Sequence, residues 1–213
     1  MQDRVNYKVN AFFSRFNLKS YKKGQIIIHP NKDPLGAYYL KSGYVKAYGI
    51  SPQGIETTIH IFALNSYFPM MWVISDIPNR LHYEALTPVE LYIIPKEKVL
   101  NFLQKNPDVL FDLTYRLLKG IDKLTLRIEQ LAIAKASSRV ASILIFLARR
   151  FGQKKDGKII LMEMFTHKDI ASLAGLSRET ASREWKNFRQ KGLVANNKRA
   201  IIINDLQALE KEI

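Results

Sequence analysis

The sequence predicts an α+β fold: an N-terminal antiparallel β-roll of jelly-roll type, a long dimerisation helix, and a C-terminal winged helix-turn-helix. Three observations predict it. Between Tyr21 and about Pro95, short β-rich runs alternate with glycines; from Pro107, leucines recur every seven residues; and residues 165–185, FTHKDIASLAGLSRETASREW, make two capped helical patterns joined at a glycine. On these patterns the chain divides into a β-roll at 1–106, a dimerisation helix with its hinge at 107–136, and the winged helix-turn-helix at 137–213.

The roll rests on five runs: Gln25–His29, Ala37–Lys41, Tyr44–Tyr48, Thr57–Phe62 and Leu91–Ile94. Gly24, Gly36, Gly43 and Gly54 punctuate them, and Ser42-Gly43 and Pro52-Gln53-Gly54 read as hairpin turns. Short strands at such spacing suit an antiparallel roll.

In the helix that follows, Leu110, Leu117, Leu124 and Leu131 are seven apart, with Ile121 and Ile128 four residues after Leu117 and Leu124. Such a heptad seam favours a two-helix coiled coil over a helix buried in its own domain, although Gly120 and Arg127 weaken it locally. Ala136-Ser137-Ser138 is expected to interrupt the helix as a hinge, because serines compete for backbone hydrogen bonds. Val140, Ile143, Leu144, Leu147 and Phe151 then mark an amphipathic helix ending near Gly152.

In residues 165–185, Thr166 and Ser177 can each accept from the free amides of a following helix, and Gly175 falls in the turn between the two helices. Ile170, Leu173 and Leu176 supply apolar contacts between them. At about 100° per residue, Ala181, Trp185 and Phe188 line one face of the second helix. Glu179, Ser182 and Arg183 share another, with Arg178 at its border. Arginines, a carboxylate and a hydroxyl on one face suit the reading of base edges. Leu193-Val194 and Ala200–Ile203 flank Asn196-Asn197-Lys198-Arg199 as a β-hairpin wing, whose basic tip either meets phosphate or is a solvated turn.

Composition is consistent with a nucleic-acid partner. The 213 residues are 47% hydrophobic and carry a net charge of +14, with 17 basic against 11 acidic residues over 1–134 and 16 against 8 over 135–213. The shorter part is the more basic, which favours a polyanion through counterion release. With no cysteine, thiol redox sensing and thiolate metal sites are excluded. The N-terminus has no continuous apolar stretch of the signal-peptide kind, and no run approaches the ~20 apolar residues of a membrane span, so a cytoplasmic protein without a membrane partner is expected. His29, His60, His82 and His167 make no metal-ligand spacing, and no nucleophile–base pattern or phosphate loop is visible, so neither metal, cofactor nor catalysis is expected.

The roll, the long helix and the winged helix-turn-helix carrying Ser177-Arg-Glu-Thr-Ala-Ser-Arg183 together resemble the cyclic-AMP receptor and fumarate-nitrate regulator family of bacterial transcription factors. Tyr38-Tyr-Leu-Lys-Ser-Gly43 and Gly54-Ile-Glu56 add weaker matches in the roll. The resemblance implies that Arg178, Glu179 and Arg183 reach base edges, Ser182 tunes the choice and Thr180 touches phosphate. Thr166, Lys198 and Arg199 are further candidates for phosphate contacts. The expected partner is double-stranded DNA, bound by a homodimer joined through helix 107–134. Its site would be palindromic, with TGTGA-like or TTGA-like half-sites centred about one helical turn apart. An activator of this kind would also need a surface for RNA polymerase.

The effector region departs from the resemblance. Cyclic-nucleotide binders of this family carry a Gly-Glu pair and, about ten residues later, Arg followed by Ser or Thr. Here the segments are Tyr67-Phe-Pro-Met70 and Asn79-Arg80-Leu81. Pro69 has no N–H for phosphate, Met70 cannot accept from a ribose hydroxyl, and Leu81 cannot donate. Arg80 keeps the spacing of the phosphate arginine, while Leu124, with Thr125 beside it, stands where a hydroxyl would meet the base. Cyclic AMP is therefore disfavoured and the effector is left unidentified. Around Met70, Trp72, Arg80, Leu124 and Thr125, the apolar run Pro69–Ile74 either fills the pocket or lines one for a less polar ligand. The alternative to a specific regulator is a small-molecule or metal-binding roll whose affinity for nucleic acid comes from charge alone.

Overall fold

The computed structural model describes residues 2–133, 135–162, 165–197 and 200–213. It divides into two compact units, one formed by the residues up to Gly49 with Ile59–Thr125, the other by Ile50–Thr58 with Leu126–Ile213.

The chain begins with helix α1 (Gln2–Phe13), followed by strands β1 (Leu18–Tyr21), β2 (Ile26–Ile28), β3 (Ala37–Ser42), β4 (Val45–Ile50), β5 (Glu56–Phe62) and β6 (Tyr67–Phe68). Helix α2 (Met70–Ser75) interrupts the strands before β7 (His82–Ala85) and β8 (Val89–Ile94). Two four-stranded antiparallel sheets result, ordered β1-β8-β3-β6 and β2-β7-β4-β5. All five expected runs are strands, and β1, β6 and β7 complete the sheets. Gly43 permits the β3–β4 turn: its φ is +85°, and a Cβ there would lie 2.2 Å from the Pro88 carbonyl oxygen.

The interior between the two sheets is apolar and aromatic. Tyr38, Leu40, Phe68 and Leu91 from one sheet meet Ile28, Val45, Ala47 and Tyr83 from the other. The Phe68 ring stacks on Tyr83 at 5.1 Å and on Tyr38 at 5.7 Å, and Phe62 sits 4.7 Å from it. The apolar run at 69–74 does not fill this space. It folds as the short amphipathic helix α2, which buries Met70 and Val73 in a separate cluster with Val5, Val9 and Phe13 of α1 and exposes Met71 and Ile74. Phe68 fills the roll instead.

Helix α3 (Lys96–Lys105) leads into α4 (Pro107–Ile133), the long helix expected from the heptads. One side of α4 is pinned to the roll: Val109 and Leu113 are buried, and Asp112 accepts from Arg116 Nε at 2.7 Å. Arg116 also donates to the Asn65 carbonyl at 3.3 Å and to Asn6 Oδ1 at 3.1 Å, while Lys8 pairs with Asp108 at 2.6 Å. That ammonium holds the Asp108 carboxyl below the usual carboxylate range. The heptad side chains Leu110, Leu117, Ile121, Leu124 and Ile128 are exposed, Ile121 by 59% and Ile128 by 67%, and Phe111, Tyr115 and Leu118 extend the exposed apolar surface further round the helix. The Leu131 side chain lies outside the described residues.

Helix α5 (Ala136–Phe151) starts before the serines, with Lys135 as its N-cap. The break expected at 136–138 therefore falls one step earlier. Ser137 and Ser138 are helical, and Ser138 Oγ donates outward to the Glu212 carbonyl at 3.0 Å rather than competing with the helix. Gly152 ends α5. The rest of the chain forms β9 (Gln153–Lys155), β10 (Lys158–Met162), α6 (His167–Ala174), α7 (Arg178–Gln190), β11 (Val194–Asn197), β12 (Ala200–Ile203) and α8 (Leu206–Glu210). The four strands make one sheet, ordered β11-β12-β10-β9.

Tyr67 offers a test of the roll. Its hydroxyl is buried with no hydrogen-bond partner among the described residues, and burial pushes its pKa up to about 12 against an opposing pull from Arg116. Because the folded pKa exceeds the unfolded value, this stabilisation is complete below about pH 10 and is lost as pH rises through 12. Tyr67→Phe removes an unbonded hydroxyl, so at pH 7 Tm should stay level or rise, and the fall in Tm between pH 10 and 12 should become shallower. A drop of several degrees at pH 7 in thermal denaturation would show that the hydroxyl is bonded after all.

Candidate nucleic-acid interface

Helix α6 begins with a capping box. Thr166 Oγ1 accepts from the Asp169 amide at 3.2 Å, and Asp169 Oδ2 accepts from the Thr166 amide at 2.9 Å and from its hydroxyl at 2.7 Å. The buried carboxylate is thereby satisfied within its own turn. Ile170, Ala171, Leu173 and Ala174 face the core, and Leu176 is half-buried. The helix stops at Gly175, whose φ of 60° is left-handed, and the Leu176 amide closes the end on the Ala171 carbonyl at 3.0 Å.

Helix α7 then starts from Ser177, whose hydroxyl accepts from the Thr180 amide at 3.2 Å and donates to Thr180 Oγ1 at 2.9 Å. Thr180 keeps its own hydroxyl hydrogen free for an acceptor outside the helix. Ala181, Trp185 and Phe188 are buried, and the helix period leaves Arg178, Glu179, Ser182 and Arg183 exposed together. Among the described residues Arg183 is held only by a long 3.5 Å contact from Nε to Glu184, and its side chain is 74% exposed, which leaves its two terminal nitrogens without a partner among them. Lys186, which the sequence reading passed over, is exposed on the same face; its signal was the spacing of four from Ser182 and seven from Glu179.

The wing is tied to this pair of helices. Asn196 of β11 lies 3.2 Å from His167 Nε2, and the His167 ring rests 4.7 Å from that of Trp185. Lys198 and Arg199 lie outside the described residues.

The residues expected around an effector pocket are placed differently. Met70 is buried in the α1 cluster and Trp72 packs against it, with the Lys96 ammonium 5.1 Å from the Trp72 ring. Arg80 is exposed, and its neighbour Asn79 is committed to the His29 and Leu81 carbonyls. Leu124 is exposed, and the Thr125 hydroxyl donates to the Ile121 carbonyl at 3.1 Å. Among the described residues no group of three or more His, Cys, Asp or Glu side chains could hold a metal, and no helix is long and apolar enough to cross a membrane.

A sheet roll followed by a capped helix-turn-helix with a wing is the architecture of a helix-turn-helix DNA-binding protein with a cyclic-nucleotide-binding-type domain. Comparison with known families agrees: residues 18–106 match the cyclic nucleotide-binding domain, and residues 138–212 match the Crp-like helix-turn-helix domain. The chain belongs to the cyclic-AMP receptor and fumarate-nitrate regulator family of transcription regulators. It is 27% identical over 197 residues to the global nitrogen regulator of Nostoc sp. strain PCC 7120, covering 92% of this chain and 88% of that protein. It is 24% identical over 174 residues to the CRP-like cAMP-activated global transcriptional regulator of Mycobacterium tuberculosis, covering 82% and 78%. Among solved structures, it is similar to a CRP/FNR-family transcriptional regulator from Thermus thermophilus, with a TM-score of 0.77 and 24% identity, covering 92% of this chain and 97% of that one. The c-di-GMP responsive global regulator of Xanthomonas campestris shares the fold with a TM-score of 0.83 at 20% identity, covering 93% and 99%.

Removing the first cap should loosen the helix pair. Thr166→Ala deletes the hydroxyl of the capping box and is expected to cost about 1 kcal/mol, seen as a fall in the urea unfolding midpoint. A midpoint equal to wild type would mean that the box does not stabilise α6.

Proposed function

We propose that the protein is a homodimeric, sequence-specific transcription regulator that reads a palindromic DNA site with TGTGA-like or TTGA-like half-sites. The observation that carries this reading is the exposed set Arg178, Glu179, Ser182 and Arg183 on the outer face of a capped helix whose inner face is buried. Arginine can fork onto guanine O6 and N7, and glutamate can accept from cytosine N4. In this reading Ser182 tunes the choice of base, Thr180 meets phosphate and Lys186 adds a cation on the same face, whereas Thr166, whose hydroxyl and amide hydrogens both go to Asp169, keeps none for the phosphate contact expected of it. Residues 1–106 act as the sensor, 107–136 as dimerisation helix and hinge, and 137–213 as the DNA reader. The apolar stripe on α4 supports the two-fold assembly, since Leu110, Leu117, Ile121, Leu124 and Ile128 repeat along one exposed side. A palindrome needs such a dimer.

In vitro selection from random duplex DNA, without added ligand and at near-physiological salt, is expected to enrich a palindrome carrying these half-sites. Arg183→Ala should relax selectivity at one base pair, by about 1–3 kcal/mol, while affinity for unrelated sequences changes little. Enrichment of no sequence, or a uniform loss in the variant, would favour binding by charge alone.

The effector in this reading is not cyclic AMP. Pro69 brings no amide, Met70 is committed to the core, and the roll interior is occupied by the Phe68, Tyr83, Tyr38 and Phe62 rings. Titration calorimetry with cyclic AMP is expected to show no binding at micromolar protein; a saturable micromolar isotherm would refute the point.

A further inference from the structure

The turn between α6 and α7 is gripped from outside the helix pair. Arg139, in the first turns of α5, donates from Nε to the Ala174 carbonyl at 3.0 Å and from Nη2 to the same oxygen at 2.6 Å. The same Nη2 reaches the Gly175 carbonyl at 2.6 Å. These carbonyls stand at the end of α6, where the helix dipole is negative and the last oxygens lack partners within the helix. The Gly175 and Leu176 amides turn back to the Ser172 and Ala171 carbonyls, so the Arg139 guanidinium supplies what the turn itself does not.

We propose that Arg139 is a positioning residue for base recognition: by clamping the Ala174-Gly175 turn to α5, it fixes the angle at which α7 presents Arg178, Glu179 and Arg183. The proposal rests on the reading of α7 as the recognition helix. Its physical basis is the difference between the two kinds of DNA contact. Long, flexible lysine and arginine side chains can follow a phosphate through a small tilt of the helix, whereas bidentate contacts to base edges require fixed distance and angle. A loosened turn therefore loses sequence discrimination before it loses general affinity. The planar fork matters as well as the charge, because a lysine ammonium cannot span the two carbonyls in the same fixed geometry.

The test measures affinity of the full chain for a selected site and for random duplex across a salt series, together with Tm. Arg139→Gln is expected to weaken binding to the selected site about tenfold or more while affinity for random duplex changes less than about twofold and the salt slope stays the same. Arg139→Lys, which keeps the charge and stem, should recover only part of the discrimination, and it carries the same comparison if the glutamine variant loses its fold. Selectivity kept at the wild-type level in both variants would overturn the clamp alone. Parallel loss on both DNAs, with the salt slope shallower by about one, would overturn it in favour of a direct phosphate contact. Parallel loss that merely tracks a fall in Tm would reduce Arg139 to a structural role. Wild-type protein that does not distinguish the selected site from random duplex would overturn the recognition-helix reading, and the clamp with it.

Discussion

The C-terminal unit depends on where Ala181, Trp185 and Phe188 go. These side chains sit four and then three residues apart on α7, and all are buried, Phe188 completely. Burying a large apolar side chain is worth roughly 1.5–3 kcal/mol, so the stripe fixes the rotation of the helix about its own axis. A slip of one residue would turn the helix by about 100° and drive charged side chains into the core. The outward polar set thus follows from the inward apolar one. Capping sets the axial position: Ser177 begins α7, and the left-handed Gly175 ends α6 two residues before it. Rotation and start are then held by separate interactions.

The N-terminal unit shows a similar division within a single helix. Along α4, Val109 and Leu113 bind the roll through apolar contact, and Arg116 gathers Asp112, Asn65 and Asn6 around one guanidinium. These contacts hold the first part of the helix in register with α1 and the turn at Asn65. They leave Leu110, Leu117, Ile121 and Leu124 exposed. The packing of this unit does not account for these four exposed apolar side chains, and an exposed apolar patch of this kind supports the proposed dimer contact.

Legibility in the sequence followed the range of the interactions involved. The helix-turn-helix could be read almost residue by residue, because its caps act over three residues and its faces follow the helix period. The long helix was legible from its leucines for the same reason. Strands β1, β6 and β7 were not: Leu18–Tyr21 is mostly exposed, Tyr67-Phe68 is two residues long, and β1 finds its partner in β8, some seventy residues away. Nothing local to Leu18 announces Tyr92 opposite it. The β9–β10 hairpin carried a usable signal in Asp156-Gly157, both at positive φ, but lysines on either side hid the alternation expected of flanking strands. The misplaced hinge has a different cause. Ser137 and Ser138 fall in the first turn of α5, not in a helix interior, and the Ser138 hydroxyl donates to the Glu212 carbonyl.

The run Pro69–Ile74 was ambiguous in the sequence because a continuous apolar stretch does not say which face is inward. In the fold, Met70 belongs to the cluster built by Val5, Val9, Phe13 and Val73, so position 70 is part of the docking of α1 and not of a polar cassette. A glutamate at this position, as a ribose-binding site of the family type requires, would place a carboxylate among those apolar side chains without a charged partner. Desolvation of an unpaired carboxylate costs several kcal/mol, more than most single contacts here can return. Replacing Pro69 would not cure this, since the obstacle is the core beneath α2. The side chain at position 70 and the packing of α1 are thus set by one cluster, and in the proposed reading a signal acting on this roll would work through differential affinity for its conformations.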